Sequence, residues 1–337
     1  MTGARRVALL AGPLLGFGMC LIGYLATSQT MFLVAFSVCI LLGALQVPVT
    51  YVKAIAGWYR ERLGLALGTA MLFGGIGVGA LPSISAWLIS LVGWRTAYAY
   101  LGVLVSGVNL LSVTLLMREP RHADAFTHAD RLSSTALLRM SGQLLRSPAF
   151  GFLATTFFFV SVMVGAGTWA LPIVLNDRGL TAQSSSSIML VVGGSMTAAR
   201  FFFGILLDRV DPQRLSAVVF ALASVGIGML AVNASVTGIV IAGVLVGVAL
   251  GSEVDAMAFL SARVFGAENL GVVYGVLGFC FSLGLGCGPA VLSIALRISG
   301  TYGPGFAIAA IAGGIASACV ILAPLRSDPS DCLRIPV

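Results

Sequence analysis

Charged side chains are too few in this chain to coat a water-soluble globule. They make up 9% of its 337 residues against 58% hydrophobic ones, and the mean hydropathy is +1.04, so lipid is the expected solvent. Histidine is almost absent. His122 and His128 stand six residues apart with no cysteine nearby, which leaves a metal site without a ligand set. Cys20, Cys39, Cys280, Cys287 and Cys319 fall in apolar runs and Cys332 in the tail, with no CxxC pair, so neither a disulfide framework nor a cysteine metal motif is expected. Strand-like alternation is lacking, which argues against a β-barrel. No cofactor motif appears, and no His, Cys or Ser shares a predicted membrane depth with a plausible base, so no cofactor is expected and an enzyme is the least supported class.

What the chain has instead is apolar length. A membrane span needs about 20 mainly apolar residues, and ten such stretches run over 7–27, 31–52, 64–91, 96–117, 149–173, 184–207, 215–233, 236–260, 270–297 and 302–324. Two of them are copies. Gly64, Gly68, Gly77, Gly79 and Gly93 recur 207 residues later as Gly271, Gly275, Gly284, Gly286 and Gly300, and Pro82 recurs as Pro289. A repeat of this length inside apolar sequence is the parallel repeat of a membrane transporter built from two similar halves, not a solenoid of short units.

Orientation follows from the basic residues, which are retained on the cytoplasmic side. With both termini inside, fifteen of the nineteen Lys and Arg fall in cytoplasmic segments, Arg95, Arg178 and Arg297 fall outside, and Arg200 lies within a span. Topology therefore accounts for the net charge of +7, and nucleic acid is not an expected partner. The polar stretch 118–148 separates four spans from six. The expected organisation is an incomplete four-helix N-terminal bundle over 1–117, a cytoplasmic linker over 118–148, a six-helix C-terminal bundle over 149–325 and a cytoplasmic tail over 326–337. At an offset of 208 Thr2-Gly3-Ala4-Arg5-Arg6 aligns with Val210 to Arg214, so the first-half counterparts of spans 149–173 and 184–207 are expected to be missing.

The motifs carry a resemblance. Trp58-Tyr59-Arg60-Glu61-Arg62-Leu63-Gly64, Gly93-Trp94-Arg95, Arg118-Glu119-Pro120 and the turn Asp208-Arg209 resemble loops of the major facilitator superfamily. Glu253-Val254-Asp255, Arg263-Val264-Phe265-Gly266 and Tyr274-Gly275 look most like bacterial carriers of the monocarboxylate and oxalate/formate type. The resemblance implies an all-α integral membrane protein, with ten of the fold's twelve transmembrane helices present, in the cell inner membrane. It also implies secondary transport of a small organic anion by alternating access.

Glycine and proline suit such motion. Gly77 and Gly79 in one half, and Gly284, Gly286 and Gly288 in the other, allow close helix contact, while Pro82 and Pro289 can bend long spans. Static packing needs the same residues. Asp208, Arg209 and Arg214 form a candidate cytoplasmic gate, with a merely solvated turn as the alternative.

Three charges lie inside spans: Arg200, Glu253 and Asp255. Arg200 is eight residues before Asp208, about 12 Å into the helix at 1.5 Å per residue. Ionised groups at such depth face a cavity or a partner, and the guanidinium fork matches a carboxylate. The resembling anion carriers hold a substrate-binding arginine in the corresponding helix. Arg200 is therefore the expected substrate-binding residue, and a structural ion pair with Glu253 or Asp255 is its alternative. The two acids are candidates for proton coupling, or Glu253 for the resting partner of Arg200, with Asp255 bonding neighbouring helices. Tyr51, Asn109, Trp169 and Tyr274 are minor cavity candidates. An exporter of cationic or lipophilic compounds, using Glu253 or Asp255 as the cation site, is the competing function. A non-transporting membrane fragment is a third.

Overall fold

The computed structural model describes residues 4–46, 63–116, 142, 144–177, 179, 182–207, 209–232, 235–266 and 270–324. All regular structure among them is helical: α1 (Ala4–Leu25), α2 (Gln29–Gly43) with a 3-10 turn (Ala44–Gln46), α3 (Leu63–Leu116), α4 (Pro148–Asp177), α5 (Ala182–Leu207), α6 (Pro212–Ala231), α7 (Val236–Phe265), α8 (Leu270–Ser299) and α9 (Gly303–Leu322). Eight of the described helical stretches are long and apolar enough to cross a membrane, and Gln29–Gly43 is shorter.

Spans 64–91 and 96–117 are expected as separate helices. They form one run of 54 residues, broken at Gly93 by φ 76° and ψ 158°. That conformation is open only to glycine. The 207-residue repeat places Gly300 at the equivalent point, and its φ is 72°. There the break is complete, and α8 and α9 are separate helices. The linker histidines, the Trp58 to Arg62 motif and Arg118-Glu119-Pro120 lie outside the described residues.

The chain divides into two units, one of Met1–Leu63 with Leu81–Phe126 and one of Gly64–Ala80 with Thr127–Val337. In the first unit α1 packs against α2 and runs antiparallel to the last part of α3. Gly12 faces Asn109, Gly16 faces Gly102 and Ser106, and a methyl at Gly23 would stand 2.5 Å from the Arg95 carbonyl oxygen. Arg95 Nη2 donates to the Ala26 carbonyl at 2.7 Å while its guanidinium lies 4.7 Å from the Trp94 ring centre, fixing the turn between α1 and α2 against α3.

In the second unit α8 packs on α4, α9 on α6 and α4, and α7 on α5 and α6. The α6–α9 pair repeats the antiparallel arrangement of α1 and α3. Ser317 Oγ donates to the Ala217 carbonyl at 2.8 Å and Ser224 Oγ to the Ala310 carbonyl at 2.6 Å. Gln213 Nε2 reaches the carbonyls of Val320, Ile321 and Ala323 at 2.7, 2.8 and 2.9 Å, satisfying groups that the end of α9 leaves without helical partners. Side chains such as Phe157, Phe220, Ile227 and Phe306 are fully enclosed, so this unit has a dry interior of its own.

Candidate functional site

Glycines set the frame of the site. Along α7, a methyl at Gly243 would stand 3.1 Å from Val192 Cγ2. One at Gly247 would stand 2.6 Å from the Val192 carbonyl oxygen and 3.0 Å from Ser195 Cβ. One at Gly251 would stand 3.0 Å from Ala199 Cβ and run into the Met196 carbonyl oxygen. Each four-residue step on α7 is matched by about one turn on α5. The two helices are therefore parallel and meet backbone to backbone, and the next step brings Asp255 level with Arg200.

Arg200 is 7% exposed and Glu253 2%, while Asp255 is half-buried. The Arg200 charge acts on Glu253, Asp255 and the buried Tyr274 of α8, so four side chains from three helices share one electrostatic neighbourhood. Yet among the described residues the ion pairs are at the surface, Arg214–Asp211 and Arg263–Asp211, and Arg200 closes none with either buried acid. Arg200 Nε, Glu253 Oε2 and Asp255 Oδ2 are buried without hydrogen-bond partners. Such groups are costly where water is excluded. The arrangement can supply a cationic donor fork to an incoming carboxylate and two acceptor groups beside it.

The turn between α5 and α6 is built around Asp211. Its carboxylate accepts from the Arg214 backbone N–H at 3.3 Å as the N-cap of α6, with Pro212 opening the helix. It also lies 4.0 Å from Arg214 Nε and 3.6 Å from Arg263 Nη1 at the end of α7. Arg209 is exposed. Asp208 lies outside the described residues, so the acid seen tying this end of the unit together is Asp211.

The remaining candidates separate by helix face. A methyl at Gly288 would stand 2.6 Å from the Val162 carbonyl oxygen, one at Gly165 would stand 2.5 Å from the Leu285 carbonyl oxygen, and Gly284 abuts Ser161 and the Phe158 carbonyl. Gly286 meets nothing within 4 Å among the described residues. Expected with its neighbours as a packing glycine, it points about 200° away from Gly284 and Gly288, off the α4 face. Pro289 lies inside α8, and Gly77 is half-buried in α3. The surroundings of Gly79, the side chains of Pro82 and Trp169, and all of Tyr51 are outside the described set. Asn109 is buried against Gly12 in the first unit. Sequence reasoning missed the Gly243, Gly247, Gly251 ladder and Asp211. Glycine at every fourth position and an Asp-Pro pair opening a helix were the available signals.

Paired helical units related by an internal repeat, each holding helices long enough to cross a bilayer, define a multi-pass membrane carrier. The chain belongs to the Major Facilitator Superfamily, whose model matches residues 2–289 and 170–331. A search of curated protein sequences finds no significant match. Among solved structures, the E. coli fucose:proton symporter FucP is similar with a TM-score of 0.66 and 17% identity, covering 94% of this chain and 83% of that one. FucP in its outward conformation is similar with a TM-score of 0.66 and 16% identity, covering 94% and 82%. At this identity the likeness concerns the fold. Family and fold are those of transporters, not enzymes.

Proposed function

We propose that the chain is a secondary active transporter of a small, monocarboxylate-like organic anion. Arg200 binds the substrate's anionic group with Glu253 beside it in the site, and Glu253 or Asp255 carries a coupling proton. The observation that carries this reading is the buried Arg200, whose Nε lacks a partner beside two acids that stop short of pairing with it. A buried guanidinium left incompletely bonded has most to gain from a carboxylate that completes its fork. The gate formed by Asp208, Arg209 and Arg214, the gating role of the α3 and α8 glycines and prolines, a bacterial inner-membrane location and cytoplasmic termini belong to the same proposal.

One observation favours a second reading: the cluster holds two acids to one arginine, and Glu253 is the most deeply buried of the three. An exporter of cations would use that excess of negative charge. Ligand protection separates the two. Under the leading reading, small carboxylates shield Arg200 from an arginine-directed reagent in the purified full chain, and organic cations do not. Cations shielding Glu253 from a carboxyl-directed reagent, with carboxylates inert, would overturn it.

A further inference from the structure

We infer that Gly251 is a positioning residue, setting how far Arg200 stands from the acidic pair. The functional half of this inference rests on the anion-site reading above. Of the three α7 glycines facing α5, Gly251 makes the contact nearest the charges: it is two residues before Glu253, and a methyl there would meet the Met196 carbonyl and stand 3.0 Å from Ala199 Cβ, the residue next to Arg200. A carbonyl oxygen within a helix cannot rotate aside as a side chain does. Any Cβ at 251 therefore moves the α5 backbone itself at the turn that carries Arg200.

Gly243 offers a matched contrast on the same seam. Its added methyl would stand 3.1 Å from Val192 Cγ2 and 3.9 Å from Ile188 Cγ2, side-chain contacts that are relieved by a shift of a few tenths of an ångström. It lies twelve residues before Asp255, about 18 Å along the helix. Packing alone thus accounts for a smaller backbone shift at 243 than at 251, and what marks a positioning role is a change in KM for lactate that accompanies the shift. A glycine that positions Arg200 has its consequence only at 251. The sensitivity is expected to be high because a displacement of about 1 Å in a binding constellation can cost up to roughly 100-fold in rate.

The test compares Gly251→Ala, Gly251→Leu and Gly243→Ala in the full chain in lipid nanodiscs and proteoliposomes. Spin labels at Arg209→Cys and Arg263→Cys, with the native cysteines replaced by serine, report the separation of the α5 and α7 ends. Uptake of radiolabelled lactate reports KM and kcat. The expected result is a label distance longer by about 1 Å for Gly251→Ala and longer still for Gly251→Leu, because an overpacked contact shifts backbone. With it, KM for lactate rises about tenfold in Gly251→Ala at little change in kcat, while Gly243→Ala alters neither. Should Gly251→Leu not fold, the alanine variant decides alone. An unchanged distance in Gly251→Ala overturns the inference. So does a changed distance with an unchanged KM, or an equal effect of Gly243→Ala. If the wild-type chain moves no anion, the anion reading falls, and the label distances alone decide whether Gly251 positions the charges.

Discussion

Where the second repeat carries Glu253, the first carries Gln46 at the position 207 residues earlier, and each side chain has a buried oxygen without a hydrogen-bond partner. The two units share the same helical break at Gly93 and Gly300 and the same antiparallel pairing of α1 with α3 and α6 with α9. They differ in buried charge. Among the described residues, Asn109 is the buried polar side chain of the first unit, whereas the second encloses Arg200 and Glu253 with Asp255 half-buried beside them. Among the described residues the helix contacts recur in both units, whereas the cluster of Arg200 with two acids is seen in the second and the first has Arg5 half-buried with its Nε enclosed. On the proposed reading, packing and ligand chemistry are separable, the first carried by glycines in both repeats and the second by Arg200, Glu253 and Asp255.

Exchanging the repeat-equivalent residues breaks the comparison most directly. Gln46→Glu places a carboxylate in the 3-10 turn after α2, where the Gln46 side-chain oxygen is buried without a hydrogen-bond partner, and is expected to destabilise the chain by about 1–3 kcal/mol. Glu253→Gln, which makes the second repeat like the first, is expected to leave folding intact and to remove any dependence of uptake on a proton gradient. Thermal unfolding in detergent checks the first, and uptake with and without an imposed gradient the second.

The backbone seams come next. Gly288→Leu, forced against the Val162 carbonyl, is expected to cost roughly 1–3 kcal/mol or more by overpacking, while Gly286→Leu, two positions away in open space, leaves the unfolding midpoint unchanged. Equal losses would mean that the α4–α8 contact does not distinguish the faces of α8. Gly93→Ala tests the shared geometry of the two breaks: its φ and ψ are open only to glycine, so a loss of about 1–3 kcal/mol is expected in thermal unfolding, with a similar loss for Gly300→Ala. The smallest effect belongs to Asp211→Asn. Asparagine keeps the α6 cap, and the pairs with Arg214 and Arg263 are solvent-exposed, so the change is expected to stay below about 1 kcal/mol and to vanish at high salt.

Much of the fold was legible because lipid demands long apolar runs, and the glycine breaks at 93 and 300 were visible as repeat positions. The faces of the helices were not. Lipid is as apolar as a leucine-rich core, so hydrophobicity does not tell the inward side of a membrane helix from the outward one. Thus Gly284 and Gly288 meet α4 while Gly286, equally glycine, meets nothing among the described residues. Arg200, Glu253 and Asp255 stood out because charge is rare inside spans. Their common neighbourhood needed the α5–α7 register, which follows from contacts at Gly247 and Gly251 that composition does not reveal. Asp211 was overlooked beside Asp208 because a sequence shows two acids near one turn without showing which one reaches Arg263.

The most direct test of the central claim is solute uptake by proteoliposomes of the full chain, comparing small carboxylates with organic cations in wild type, Arg200→Lys and Arg200→Ala. The account predicts that carboxylates are carried. Arg200→Ala, which removes the fork, then loses uptake by about 100-fold or more, in line with the roughly 2–5 kcal/mol lost when one partner of a buried charged contact to a ligand is truncated. Arg200→Lys keeps a charge without the planar fork and falls between. Carboxylate uptake undiminished in Arg200→Ala, or uptake confined to cations, would contradict it.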